Sequence, residues 1–444
     1  VADPYRWMED LDSPKVADWV AQENSLFQTW SNNKASRVSP DQIQVTLKEE
    51  YNYPKRGCPW RKAGLIFQYR NSGVQNQSVL YAAPALRQEE LPDEQMRVLL
   101  DPNQLNTQGT TSLKFTSITN SGKLMAYGIS EAGSDWTQIQ VMEVATGNPA
   151  AGEEGKTIQR VKFSSASWLN DESGFLYSRY PIAIKTGVET NELLNHAVFF
   201  HKLGTDQTED LLVHDDSTSP HHLFGGDVTE DDQYVIVTAC DGCKPANIVL
   251  VAPVTFLKEG RKPDFTVLHD DKFESSADVI TNEGSHFFVK TNWNAPNNRV
   301  MVVELGQPQK DWKELIPENP GAVLDGVYKI GSKDSFIVAL KYSKEAIDEL
   351  WICPDIRIPA PLWKVELPGV GTIVSLCPNN MNDEVFLSVT SLLRPSSVYR
   401  FHASIINSSL ELVWKTELAP SLQRAATEFE EKQVHYTSKD GTVV

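Results

Sequence analysis

The serine closest to a nucleophile turn is Ser130, in Gly128-Ile129-Ser130-Glu131-Ala132. A Gly-x-Ser-x-Gly elbow exposes its hydroxyl on a strained strand-to-helix turn, beside an imidazole base and oxyanion donors. Here the final glycine is absent and the segment reads as part of a strand. His269 beside Asp270 and Asp271 supplies a base and acids by residue type. Adjacency in sequence does not orient an imidazole between an acid and a hydroxyl, and a surface turn is the plainer reading. Cys240-Asp241-Gly242-Cys243 is a lone Cys-x-x-Cys, and His221-His222 is equally isolated. Zinc would require a second ligand pair or a His-Glu-x-x-His. A redox pair would require a helix amino terminus beneath the first thiol. This pair instead follows an apolar run from Tyr234 to Ala239, which suits a β-turn. The residues therefore assign no catalytic group, no metal and no cofactor.

The elements that would position any site are far more legible. Seven turns, centred on Gly64, Gly122, Gly174, Asp232, Gly284, Asp334 and Asp383, recur at intervals of roughly 50 to 60 residues. Each feeds a run of aromatic and β-branched residues, such as Leu65-Ile66-Phe67, Tyr234-Val235-Ile236-Val237 or Val385-Phe386-Leu387. A second run follows each one, as in Val79-Leu80-Tyr81, Ile248-Val249-Leu250 and Val398-Tyr399. Seven such units predict a seven-bladed β-propeller, which leaves only short, protected sheet edges. A long β-sandwich would show turns every 8 to 12 residues or so, without the longer superperiod.

Composition narrows the partners. The 444 residues carry a formal net charge of −18, which argues against nucleic acid and anionic membrane surfaces, since both need basic patches. No stretch approaches the roughly 18 apolar residues of a membrane span, and the first residues lack the apolar core of a signal peptide. Five sparse cysteines, Cys58, Cys240, Cys243, Cys353 and Cys377, suit a reducing compartment, so the reading is cytoplasmic. The sequons at Asn76 and Asn407 are then incidental.

Before the first blade, Val16, Trp19, Val20, Leu26, Phe27 and Trp30 recur with helical spacing after Ser13-Pro14, a cap followed by proline at the first helical position. Ser39-Pro40 opens a second helical stretch with Ile43, Val45 and Leu47. Neither belongs in a blade, and their apolar faces need another partner.

The motif Asp3-Pro4-Tyr5-Arg6-Trp7-Met8-Glu9-Asp10, followed by Trp19-Val20 and Gln22-Glu23-Asn24, resembles the amino-terminal signature of the prolyl oligopeptidases. Tyr51-Asn52-Tyr53-Pro54-Lys55, Asn71 to Gln77, Leu100-Asp101-Pro102-Asn103, Gly133-Ser134-Asp135-Trp136, Val161-Lys162-Phe163-Ser164, Leu203-Gly204-Thr205 and Leu367-Pro368-Gly369-Val370-Gly371 continue the resemblance in the family's order. It implies three parts: an amino-terminal helical segment over 1–50, a propeller over 51–435, and over 436–444 the start of an α/β-hydrolase domain. In that family the serine, aspartate and histidine lie beyond this junction. The implied activity is cleavage of short peptides after proline through an acyl-enzyme, with the propeller excluding folded proteins. The 444 residues alone are expected to be inactive. Some fungal relatives also join peptide ends into macrocycles.

The resemblance further implies that Phe163, Phe224, Cys240 and Cys243 face the cavity between propeller and hydrolase domain, where the family binds its peptide. By residue type alone, Phe163 and Phe224 are equally at home in inter-blade core, and Cys243 as an inert thiol. Many relatives carry arginine where this chain has Cys240. The implied partners are proline-containing peptides and the hydrolase domain of the same protein. Two alternatives stand beside this reading. A free-standing propeller binding peptides or proteins would need a polar surface over the amino-terminal helix; a propeller enzyme with its own site would need carboxylates or histidines clustered at blade ends.

Overall fold

A computed structural model describes residues 3–10, 12–33, 39–85, 93–181, 192–418 and 420–442. The chain between the two expected helices, 34–38, and the last two residues of the expected junction lie outside them. The first helix, α1 (Pro14–Asn33), starts where proline at its first position predicts, with the Ala17 amide donating to the Ser13 carbonyl at 3.1 Å. The second, α2 (Pro40–Tyr51), opens on a capping box: the Gln42 amide donates to the Ser39 hydroxyl and the Ser39 amide to the Gln42 side chain, both at 3.2 Å.

Seven antiparallel sheets follow, each built from four consecutive strands. Blade 1 spans 55–100, with its first strand split into Lys55–Arg56 and Trp60–Lys62; blades 2 to 7 span 112–161, 167–214, 223–269, 277–316, 323–365 and 372–415. The apolar runs of the sequence are the second and third strands of every blade, for example Tyr234–Cys240 paired with Asn247–Pro253. Their continuity has a simple cause. Successive side chains on a strand point to opposite faces, and each blade is covered on both faces by a neighbour. Thus Ile236 packs towards blade 5, while Val235 and Val237 pack towards blade 3.

Seven clusters of buried apolar side chains join the blades in sequence. The last of them, Cys58, Ile66, Ala83, Phe386 and Val398, brings blade 7 back to blade 1. The molecule is a closed sevenfold ring, as the turn period predicts. Among the described residues no strand is exchanged at the closure, because every strand of blades 1 and 7 comes from its own stretch of chain. A short helix, Pro420–Glu428, follows the last blade; the strand period does not anticipate it.

Strand direction alternates in a meander, so all loops joining strands 2 and 3, and all connections from one blade to the next, emerge on one face of the ring. Both amino-terminal helices enter blade 1, and the chain leaves blade 7, on that same face. The opposite face carries the hairpins between strands 1 and 2, which converge on the central channel. There Lys62, Asn120, Asn170, Glu230, Lys329 and Asn380 help to line a polar cavity of about 360 Å³. The Lys329 ammonium of blade 6 lies 2.7 Å from the Glu230 carboxylate of blade 4. Because blades 4 and 6 are not neighbours, that ion pair can only reach across the channel, and it narrows this mouth.

Candidate functional site on the loop face

Phe163 directly follows the outer strand Ile158–Val161 of blade 2. Its backbone is left-handed (φ 54°) and its ring is 59% exposed, held out from the loop face. A left-handed conformation at a bulky residue is costly and needs surrounding contacts to fix it. They are present. The Lys162 ammonium sits 5.3 Å from the Phe163 ring and 5.4 Å from the Trp136 ring, within cation–π range, and 3.6 Å from Asp135. Trp136 meets Tyr180 edge to face at 5.9 Å, and Tyr180 packs on His196 at 4.7 Å.

His196 ties this aromatic row to blade 4. Its Nε2 lies 2.9 Å from the Lys162 carbonyl, and its Nδ1 lies 3.0 Å from the Phe224 amide. A carbonyl only accepts and an amide only donates, so the ring is the Nε2–H tautomer. Burial lowers its pKa to about 4, despite the bond to Lys162, so it stays neutral at physiological pH.

The four residues singled out by the sequence divide in two. Phe163 lies open on the face, Cys243 is exposed in the turn after strand Tyr234–Cys240, and Cys240 ends that strand half-buried. Phe224 differs from the cavity reading: it is 3% exposed, and its ring belongs to the cluster between blades 3 and 4, against His214 at 4.9 Å. As the second residue of an inner strand, paired with Ala239, it has a neighbouring blade over its ring. Burial and the carboxylate of Asp278 raise the Cys240 thiol above its usual value, so it is a neutral thiol where the resemblance leads one to look for a cation. Cations close to it are Lys244 on the same turn, 2.6 Å from Asp241, and Lys290, 3.1 Å from Asp278. Lys162, His196 and Tyr180 escape a sequence reading because their roles depend on contacts between blades.

Ser275, near His269, is the arrangement that most resembles a nucleophile and base. Its hydroxyl is 3.5 Å from the imidazole Nε2 but donates to Asp271 at 2.8 Å, and the other imidazole nitrogen faces the Gln309 amide at 3.3 Å. Ser275 is also buried. Among the described residues no carboxylate is hydrogen-bonded to that imidazole, and with the hydroxyl buried the cluster serves the blade 4–5 packing.

The family model described as the prolyl oligopeptidase N-terminal β-propeller domain matches residues 1–411. The chain belongs to the prolyl oligopeptidase family. It is 32% identical over its whole length to a prolyl endopeptidase of Elizabethkingia miricola and 29% identical to prolyl oligopeptidase A of Amanita bisporigera, spanning 58% and 59% of their lengths. Among solved structures it superimposes on prolyl oligopeptidase B of Galerina marginata, bound to a 35-residue hydrolysis and macrocyclization substrate. The TM-score is 0.85 at 26% identity, over 100% of this chain and 61% of that one. The chain thus corresponds to about three-fifths of each relative, the propeller portion.

In this prolyl oligopeptidase propeller, the apolar stripe of the amino-terminal helices is open. Leu26 is 64% and Phe27 63% exposed, with Trp30, Ile43, Val45 and Leu47 also uncovered. Among the described side chains of α1 only Val16 is buried. Trp7 packs edge to face on Trp19 at 6.2 Å, with the Lys15 ammonium 4.2 Å from the Trp7 ring, so the signature motif folds onto α1 and not onto a blade.

Proposed function

We propose that this chain is the substrate-gating part of a serine endopeptidase that cleaves short peptides after proline, with its Ser, His and Asp carried by an α/β-hydrolase domain outside these 444 residues. The observation that carries this reading is the pairing of family membership with an uncovered apolar stripe on the two helices, on the same face as Phe163, Cys240 and Cys243. An exposed stripe of that size marks a surface meant to be covered. A free-standing propeller would present polar residues there.

In this reading the hydrolase domain docks over the helices and the loop face. Phe163, Trp136, Cys240 and Cys243 then form the propeller wall of the enclosed space, with Lys162 as its cation. Apolar walls with a few polar groups orient a peptide. The ring admits flexible chains, while the ion pair Glu230–Lys329 narrows the far mouth of the channel. The five free thiols fit a cytoplasmic setting, and among the described residues no helix is long and apolar enough to cross a membrane.

The test is turnover of a Gly-Pro reporter by the purified 444-residue polypeptide, alone and with the hydrolase part of a relative supplied in trans. Silence alone and activity on combination are expected. Turnover by the 444 residues alone overturns the reading.

A further inference from the structure

The closure of the ring carries a pair of thiols that no part of the proposed function uses. Cys58 sits in the irregular joint between the two halves of blade 1's first strand, Lys55–Arg56 and Trp60–Lys62; Cys377 is the penultimate residue of the first strand of blade 7, Thr372–Pro378. They are 319 positions apart in sequence, yet they belong to one cluster at the seam, with Ile66, Ala83, Phe386 and Val398. The Cys377 side chain packs against the buried cluster that contains Cys58, close enough for each thiol to shift the other. Cys58 is 8% exposed, whereas Cys377 is half-buried and adjoins Pro378, which lines the channel cavity.

We propose that Cys58 and Cys377 form a redox modification site that converts the non-covalent seam into a covalently closed ring. This inference goes beyond the proposed function and does not rest on it.

Three observations support it. The pair spans the one junction of the ring where a bond would tie the first blade to the last, so a single disulfide fastens what strand exchange does not. The pair is also unequal: contact with Cys58 lowers the Cys377 thiol, while contact with Cys377, with burial, raises Cys58. The more acidic thiol is also the more accessible one, which suits it as the attacking sulfur. Finally, both side chains already pack together at the seam, where a disulfide would have to form.

With a hydroperoxide as oxidant the step balances. The Cys377 thiolate attacks one peroxide oxygen, giving a sulfenic acid and releasing the other oxygen as water once protonated. The Cys58 sulfur then attacks the Cys377 sulfur, its proton leaves with the departing hydroxide as a second water, and the S–S bond forms. Two thiols are oxidised by two electrons and one peroxide is reduced. A small dithiol reverses the step by exchange.

The experiment treats the purified chain with dilute hydrogen peroxide, maps disulfides by mass spectrometry of its peptides, and follows unfolding in denaturant. A Cys58–Cys377 cross-link is expected. It should slow unfolding at least about tenfold, an effect reversed by dithiothreitol, because it removes the loop-closure freedom of a very long loop. Neither change should occur in Cys377→Ser or Cys58→Ser, and the reduced wild type gives the baseline against which any packing loss in those variants is read. Two results would overturn the inference: both seam thiols remaining free under peroxide that modifies the exposed Cys243, or a cross-link that leaves the unfolding rate unchanged.

Discussion

The junction between blades 3 and 4 and the junction between blades 7 and 1 solve the same geometric problem by different means. At the first, Leu176, Val198, Phe200, Phe224, Val235, Val237 and Phe256 interdigitate into a deep apolar cluster. At the second, the buried apolar members are fewer, Cys58, Ile66, Ala83, Phe386 and Val398, and the Glu384 carboxylate is buried beside them. Glu384 is fully buried, 2.5 Å from Arg61 across the seam and 3.5 Å from Arg400 within its own blade. The Arg61 guanidinium lies 5.7 Å from the Phe386 ring, and Arg56 lies 5.5 Å from Trp414. The difference teaches how a ring without strand exchange holds its ends. Apolar packing is indifferent to direction, whereas a buried charge with its partners accepts one register only. The desolvation cost means such a pair adds little net stability over an apolar equivalent, but removing one partner is severe.

The largest effect should follow from breaking the apolar side. Phe224→Ala removes a buried ring from the blade 3–4 cluster and should cost about 3–5 kcal/mol, read as a lower denaturant midpoint. If Phe224 instead formed an open cavity wall, stability would barely change. Next comes the seam: Glu384→Gln keeps the shape but removes the buried carboxylate that Arg61 and Arg400 share, a loss of about 3 kcal/mol, while Arg400 keeps Glu411 at 2.6 Å. Hydrogen exchange distinguishes the two variants. The seam variant should expose amides of blades 1 and 7 first, near Ile66 and Val398, whereas Phe224→Ala should loosen blades 3 and 4. A neutral Glu384→Gln would mean that charge does not hold the seam.

That contrast also marks what a sequence can reveal. The strands at Tyr234–Cys240 or Glu384–Thr390 were legible because period, turn residues and β-branched runs are local signals, and α2 because Ser39-Pro40 marks its start, although the capping role of Gln42 was not read. The first and fourth strands were less so: Ser167–Trp168 and Trp363–Val365 are too short to show a pattern. Long-range pairs were silent altogether. Arg61 and Glu384 are 323 residues apart, and nothing near either one marks the other. The candidate site was half legible. Phe163 and the Cys240–Cys243 turn carry family motifs, but the burial of Phe224 depends on which face of its strand meets the next blade, and the bridge through His196 depends on the ring being closed.

Between these extremes lies the junction of blades 2 and 3, where a buried histidine makes the comparison depend on pH. His201 of blade 3 holds Asp210 at 2.7 Å and faces Glu153, which follows the third strand of blade 2, at 3.5 Å. Burial alone would lower its pKa, but the bond to Asp210 and the nearby Glu153 carboxylate outweigh burial and lift it from 6.5 to about 9. Because the folded value lies above the unfolded one, the stabilisation is fully present below about pH 6.5 and is lost as pH rises through 9. The loss amounts to about 3 kcal/mol at most. Glu153 moves the other way: burial opposes it, but His201 and the Gly204 amide hold it below the usual carboxylate range, so its contribution fades in acid. Denaturant midpoints should therefore fall between pH 7 and 9 or so in the wild type and stay flatter in His201→Gln. A wild-type profile as flat as the variant's would remove the charged triad from the account.

The smallest effect belongs to an ion pair that ties blades which do not touch. Lys329 and Glu230 meet across the channel mouth, and Lys329 also donates to the Ser332 carbonyl at 2.6 Å, so its ammonium is anchored on its own blade before it reaches the other. The pair lines a cavity rather than a packed interface, and Glu230 is half-buried. Water there screens the charges, which limits the contribution to about 1 kcal/mol or less. Lys329→Met should therefore leave the denaturant midpoint within that margin while opening the mouth. Hydrogen exchange of the seam amides should be unchanged in this variant, because the pair joins blades 4 and 6 and leaves blades 1 and 7 alone. If Lys329→Met loosened the seam as Glu384→Gln is expected to, the ring would be held by tension across its centre as well as by contacts between neighbours, and the contrast between the two junctions would have to be redrawn around the channel.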